Sequence, residues 1–481
     1  MPTSETIINI DTAEQLVRRL CQHWSHKFDV EQGEQSTLIR LPAGECELFP
    51  EADRLRVRVT ALDDKLGDLK DVVAEHLKRM EKSGLLAVKW KDDKSSKAKT
   101  RHGIILLIAS VMPTMAIISL VPVLPLLLRE FASVPGSSFL VPVALTIPAL
   151  CVALFSPLAG WLSDRTGRKK LLVTALVLYA LVGLVPLMLT GLYSLIVARV
   201  ALGVTEAAIM TVATTMIGDY FQGRQRERWV AAQVAVVALS AIVLIAVGGM
   251  LGEAFGARGP FVLYALALPI AVAAGFILFE PHVTAEPSSN QTVRLPYRSV
   301  MPIVAITFGA GLLFYTMIVN LGPILGLTGV ISPAKIGAVG AVANVGVALG
   351  TQIFRKFDAF SAQALLAGGL SLCAIGFVGT GLATSFPVAA VFAVVACVGG
   401  GMLLPNLLTW TLRVLPAEVR GRGTGLWTGT FFLAQFAAPL IATALMYGVG
   451  GLGSVLVLYA GLAAIGALAA VVSARIVATR A

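Results

Sequence analysis

Gly160-Trp161-Leu162-Ser163-Asp164-Arg165-Thr166-Gly167-Arg168-Lys169-Lys170 places one carboxylate, two glycines and four cations within eleven residues. On each side lies an apolar run of the length that crosses a bilayer, about 20 residues for a hydrocarbon core of about 30 Å. A short, strongly basic turn between two such runs fixes the fold class as an all-α membrane protein. Basic loops also orient membrane proteins, because lysine and arginine collect on the cytoplasmic side.

Composition agrees. Of 481 residues, 56% are hydrophobic and 14% charged, and mean hydropathy is +0.81; soluble chains carry about 25% charged residues. The net charge of +10 does not describe a nucleic-acid binder, because its distribution is uneven. Before Gly103 there are 18 Lys/Arg and 18 Asp/Glu; from Gly103 onward there are 20 and 10. The excess belongs to loops of the apolar part. The five cysteines, Cys21, Cys46, Cys151, Cys373 and Cys397, show neither disulfide-framework nor zinc-finger spacing. The N-terminus lacks a charged-then-apolar leader, so the first hydrophobic helix is expected to do the targeting.

From Gly103, apolar segments recur at 104–128, 138–161, 171–190, 193–217, 229–252, 260–279, 300–325, 335–354, 361–382, 387–409, 424–446 and 452–474, twelve in all. With both termini cytoplasmic, sixteen Lys/Arg fall on the inside and three, Arg129, Arg258 and Lys335, on the outside. The remaining one, Arg199, lies within a helix. The fourth helix ends in Gln222-Gly223-Arg224-Gln225-Arg226 and the tenth in Val419-Arg420-Gly421-Arg422, an offset of 196 residues that also carries Gly203 to Gly399. Two six-helix halves, 103–279 and 299–475, are therefore expected around a cytoplasmic loop at 280–298, with a cytoplasmic tail at 476–481.

Ahead of them, residues 1–90 read as a small soluble α+β domain. Helical period runs from Thr12 to Cys21 behind a capping Asp11, and again from Asp63 to Lys82. Ser36–Leu41, Glu45–Phe49 and Leu55–Thr60 read as strands, with Leu85–Trp90 a fourth. Leu55, Val57 and Val59 alternate with Arg54, Arg56 and Arg58, giving that strand one wet, basic face. Residues 91–102 are a lysine-rich tether suited to the anionic cytoplasmic leaflet.

Twelve helices in two halves, with this turn between the second and third, resemble the major facilitator superfamily of secondary transporters. Its signature is filled without departure by Gly160, Asp164, Arg165, Gly167, Arg168 and Lys169. The resemblance covers about 104–475 and implies a monomer. It also implies that Asp164 faces the start of the eleventh helix near Gly423, a cytoplasmic latch in which a carboxylate meets the free N–H groups of a helix end. Gly160 would allow close helix approach and Gly167 the tight turn.

A second likeness is to the family's fourth-helix arginine with glycine four residues on, here Arg199 and Gly203, followed by Glu206. Intramembrane ionisable residues are expensive and functional, which makes Arg199 and Glu206 the candidates for proton coupling; a fixed helix–helix salt bridge is the structural alternative. Seven residues are two turns, about 10.5 Å of rise on one face. In the fifth helix Gly248-Gly249 is present, but Leu244-Ile245 stand where many proton-driven drug exporters have Gly-Pro. The tenth and eleventh helices look more like the sugar-efflux-type permease branch.

Tyr315, Asn320, Asn344, Asn406 and Gln435 are the candidate cavity residues. So few polar groups suit an amphipathic organic molecule rather than a sugar or a phosphate. The N-terminal domain resembles a small bacterial family of unassigned function associated with siderophore genes, through Cys21-Gln22-His23-Trp24-Ser25-His26-Lys27, Gly44-Glu45-Cys46 and His76-Leu77. Imidazole and thiol are transition-metal ligands, so Cys21, His23, His26 and His76 are the metal candidates there, against a plain packed core.

No Ser/His/Asp constellation or phosphate-cradling loop points to an enzyme. The expected activity is proton-coupled export of a small amphipathic molecule, possible cargoes including a siderophore-like one, across a bacterial inner membrane, with lipid and substrate as partners, no nucleic acid, and no cofactor beyond the proton. Uptake or facilitated diffusion is the alternative, and a receptor that senses through the N-terminal domain is a different class.

Overall fold

The architecture is that of a computed structural model, which describes residues 3–10, 12–33, 36–51, 53–61, 65–81, 88, 90–92, 98–221, 223–281, 296–357, 359–416 and 419–480. The chain divides into two compact units, the first holding the N-terminal residues to Gly103 and the short segment Met216–Val230.

In the first unit the elements run β1 (Thr3–Asn9), α1 (Ala13–Trp24), β2 (Asp29–Gln32), β3 (Thr37–Leu41), β4 (Gly44–Pro50), β5 (Arg54–Ala61), α2 (Leu66–Met80) and β6 (Lys91–Asp92). The strands form one sheet in the order β2-β3-β4-β5-β1-β6, each neighbour antiparallel. The inward residues of β5, Leu55, Val57 and Val59, are fully buried with Leu20, Trp24, Leu69, Val73 and Leu77 of the two helices. On the other face the expected basic ladder is neutralised. Arg56 reaches Glu5 (3.9 Å) and Glu51 (3.7 Å), and Arg58 reaches Glu5 (3.5 Å) and Glu47 (3.6 Å), while the Arg56 guanidinium lies 4.5 Å over the Phe49 ring.

β1 shows no apolar alternation because its inward residues are Ser4, Thr6 and Ile8, all buried, while Ile7 is 58% exposed. Asp11 and Asp63 lie outside the described residues, as do most of 85–90. The start of the expected linker is instead an edge strand: β6 pairs Asp92 with Ser4 and Lys91 with Glu5.

The second unit is helical. The first crossing is broken into α3 (Thr100–Ala109), α4 (Met112–Ile118), a 3-10 turn (Val121–Val123) and α5 (Leu124–Glu130), since Pro113, Pro122 and Pro125 each remove an N–H and crowd the preceding turn. Then follow α6 (Ser137–Thr166), α7 (Arg168–Leu184), α8 (Leu192–Tyr220), α9 (Gly223–Phe255), a 3-10 run (Gly256–Leu266) with α10 (Ala267–Ile277), α11 (Tyr297–Val319) with α12 (Leu321–Gly326), α13 (Pro333–Lys356), α14 (Ala362–Gly381), α15 (Phe386–Val414), α16 (Arg420–Val449) and α17 (Leu452–Arg480).

By length and composition eleven helices qualify as membrane spans among the described residues, one of them the 53-residue run Gln225–Ile277. At 1.5 Å per residue that run would reach about 80 Å, more than twice a hydrocarbon core. It breaks at Gly256, whose φ of +72° is a left-handed conformation that ends a helix. The two pieces are the fifth and sixth crossings, and the described residues make twelve.

Within the second half α14 packs on α15 and α17, α13 on α15, and α11 on α15 and α16; the two halves meet where α16 lies on α6, α12 on α5, and α13 on Val121–Val123. Backbones of the two halves approach closely where Gly249 of α9 faces Gly337 of α13. A Cβ on Gly249 would sit 2.5 Å from the Pro333 carbonyl oxygen and 3.0 Å from the Gly337 Cα.

Candidate functional site

Prolines within α6 prepare the site. Pro148 has no N–H to give the Ala144 carbonyl four residues earlier, and that freed carbonyl accepts Arg199 Nε at 3.0 Å. The Leu145 carbonyl accepts Arg199 Nη2 at 3.0 Å, and the Ala116 carbonyl, at the end of α4, accepts it at 2.7 Å. Nη1 donates to the Tyr264 hydroxyl at 2.6 Å, which itself donates to Ala116. Arg199, 1% exposed, thus ties α4, α6 and the 3-10 run before α10 to α8.

Four of its five N–H groups go to carbonyls and a phenol, and no hydrogen bond joins it to Glu206. The expected charge pair is therefore split. Glu206, also 1% exposed, has an Oε1 with no hydrogen-bond partner in the structure. It lines a cavity of about 530 Å³ between the halves. Burying a carboxylate without such a partner is costly.

The cavity wall from the first half includes Met210, Thr214, Gln233, Val237 and Ala241; the second half supplies Phe314, Tyr315, Asn344, Phe431, Phe432 and Gln435. Of the cavity residues expected from the sequence, Tyr315, Asn344 and Gln435 are in the lining. Asn406 is elsewhere, donating through Nδ2 to the Ala362 carbonyl at 2.8 Å, and Asn320 ends α11 outside the lining, its Nδ2 buried without a partner. The aromatic wall has a sequence signal in Trp427, Phe431 and Gln435, spaced four apart on one face of α16. Trp427 and Phe431 stack at 5.6 Å and 8°, and Tyr315 lies 4.9 Å from Phe431.

At the basic turn, α6 ends at Thr166 and Gly167 turns the chain with φ +96°. The N–H groups of Arg168 and Lys169, which open α7, donate to the two carboxylate oxygens of Glu280 at 2.5 and 3.1 Å. A carboxylate does meet a helix end here, but it is Glu280 on α7, not Asp164 on α16. Asp164 is instead 3.3 Å from Arg168, its side chain 66% exposed, and Arg165 lies 4.1 Å over the Trp161 ring. Gly423 packs on Leu415, and a Cβ on Gly160 would meet nothing nearer than Thr211 at 3.8 Å; close helix approach at Gly160 is not present in this conformation.

The opposite end of the bundle is bridged. Ser138 and Tyr447 share a hydrogen bond of 2.8 Å. Glu253 on α9 accepts from the Ser332 hydroxyl at 2.8 Å and the Ala334 N–H at 3.2 Å, at the start of α13. Polar bridges between the halves are thus present at this end, while at the other Asp164 pairs with Arg168 of its own half.

The metal candidates of the first unit do not converge. Cys21 is in the core, and burial pushes the neighbouring Cys46 thiol up, away from the ligand form. His23 and His76 face each other with ring centroids 5.6 Å apart in a cleft with Trp24, Lys27 and Asp68, which His26 does not line. Among the described residues no group of three or more His, Cys, Asp or Glu is placed to hold a metal.

The family described as "Major Facilitator Superfamily" matches residues 106–439, and one described as "Uncharacterized protein conserved in bacteria" matches 5–91. The tetracycline resistance protein, class C, of Escherichia coli is 26% identical over 375 residues, 72% of this chain and 90% of that protein. The class H protein of Pasteurella multocida is 31% identical, over 37% of this chain and 44% of its own. The bacillibactin exporter of Bacillus subtilis is 34% identical over 109 residues, 22% of this chain and 26% of its own. A bacterial homolog of the human lysosomal transporter Spinster superposes with a TM-score of 0.63 at 18% identity, covering 78% of this chain and 98% of that structure.

Proposed function

The chain belongs to the major facilitator superfamily, and from that membership we propose that it exports a small amphipathic organic molecule by alternating access, driven by protons that enter through Glu206. The observation that carries this reading is the buried Glu206 oxygen without a partner at the cavity wall. A proton on that carboxyl removes the penalty of a bare buried charge, so occupancy of Glu206 and the opening of the cavity to either side are energetically linked. Arg199 holds the frame and keeps a positive field nearby.

The outward direction rests on the relatives, whose names are those of resistance proteins and an exporter. In the orientation with both termini in the cytoplasm of a bacterial inner membrane, the bridged end faces out and the Asp164 turn faces in. The conformation is then open inward. Gly160, Asp164, Arg165, Gly167, Arg168 and Gly423 form the inner gate, which closes when Asp164 leaves Arg168 for the start of α16. The N-terminal domain is an accessory module.

A metabolite comparison inside and outside cells, with and without this protein and at low and high iron, tests the direction. At least one compound should be enriched outside cells that carry the protein, and a protonophore should erase the difference. Enrichment inside, or none, would refute export.

A further inference from the structure

We propose that the cargo is a planar aromatic monocation, its amine seated on Glu206 and its ring against the Phe431 wall. The proposal rests on the transport reading above and adds the chemical class of the cargo. Glu206 is the one formally charged side chain among the described residues of the lining.

The other polar groups there are largely occupied. Gln233 Nε2 donates to the hydroxyls of Ser110 (2.7 Å) and Thr214 (3.0 Å), Asn344 Nδ2 to the Gly340 carbonyl (2.9 Å), and the Thr351 hydroxyl to the Val347 and Gly401 carbonyls, both 3.1 Å. The buried lining atoms left without a partner are Glu206 Oε1 and Gln435 Oε1, one on each half. Both are acceptors, so the complementary ligand brings N–H donors. An anion brings none and meets the carboxylate with like charge.

The rest of the wall sets the shape. Phe314, Tyr315 and Phe431 are within 6.4 Å of one another, and Trp427 continues the stack. Such faces accept flat rings and favour cations. A volume of about 530 Å³ holds one drug-sized molecule. The charged and titratable groups within electrostatic reach of Glu206 are Arg199 on its own helix, Cys151 on α6, Tyr179 on α7 and Tyr264 before α10. None of the four lines the cavity, so proton and cargo amine compete for one carboxylate.

Three probes bound to the purified full-length protein decide the matter: 9-aminoacridine, protonated at neutral pH to a planar monocation with N–H donors; acridine, its uncharged ring system; and anthracene-9-carboxylate, an anion. 9-Aminoacridine should bind at least tenfold more tightly than acridine, with no measurable binding of the carboxylate. Glu206→Gln should weaken 9-aminoacridine by about 10- to 100-fold, the range of a charge-assisted hydrogen bond, and leave acridine within about twofold, which also reports that the variant is folded. Phe431→Ala should weaken both. 9-Aminoacridine affinity unchanged by Glu206→Gln, no 9-aminoacridine binding, or the anion binding as tightly as the cation would overturn the cargo class. Protonophore-sensitive export in cells alongside any of these results would leave the transport reading standing.

Discussion

Arg199→Ala is expected to abolish transport and to lower the apparent unfolding midpoint by several degrees. Removing the guanidinium deprives the Ala144 and Leu145 carbonyls of α6 and the Ala116 carbonyl of α4 of a shared donor, and takes an acceptor's partner from Tyr264. Leaving a buried acceptor without its donor costs about 1–3 kcal/mol. Arg199→Lys should fall between, since a compact ammonium cannot reproduce the planar fork that reaches two helices and a phenol at once. The same thermal scan on Glu206→Gln separates the clamp from an ion pair. If Arg199 acts through the carbonyls, Glu206→Gln leaves the midpoint near wild type; if the two residues were a structural salt bridge, both variants would fall together.

Gly249→Val should shift the whole conformational balance. The added side chain would enter the space held by the Pro333 carbonyl and the Gly337 backbone, neither of which is a movable side-chain tip. Overpacking costs about 1–3 kcal/mol, and because the strain falls only on the conformation in which α9 and α13 touch, it changes the ratio of the two states by about 5- to 150-fold. Spin labels at Ser138→Cys and Tyr447→Cys, whose native side chains are bonded at this end, should report a longer distance in the Gly249→Val background, and turnover should fall to a small fraction of wild type. The native cysteines are all buried, so the labels report this pair. An unchanged distance distribution would show that the glycine contact is not part of the seal.

The helices were readable because long apolar runs leave the backbone no other way to satisfy its hydrogen bonds in lipid, and the basic turn between α6 and α7 fixed their register. The Pro148 that frees the Ala144 carbonyl was equally present in the sequence. Its partner was not legible, because which arginine reaches a freed carbonyl depends on how α6 and α8 cross. Arg199 and Glu206 were legible as special residues, while their separation into a frame residue and a cavity residue was not. Two charges seven apart share a helix face, and only packing decides which neighbours each one meets. The expected Asp164–Gly423 contact is not made in this conformation, where Asp164 pairs with Arg168, and Glu280 takes the helix-end role from more than a hundred residues away. β1 escaped because its inward face is Ser4 and Thr6, so its polarity pattern says surface while the sheet buries it.

Coupling through Glu206 is tested most directly in everted membrane vesicles with an acidic interior, using as cargo the compound identified by the metabolite comparison. Wild type should accumulate it against its gradient and also exchange it in counterflow. Glu206→Gln should lose accumulation entirely while retaining counterflow once the cargo concentration is raised to offset its weaker binding, because a side chain that cannot release a proton can still complete the substrate half of the cycle. Undiminished pH-driven accumulation by Glu206→Gln would contradict the account.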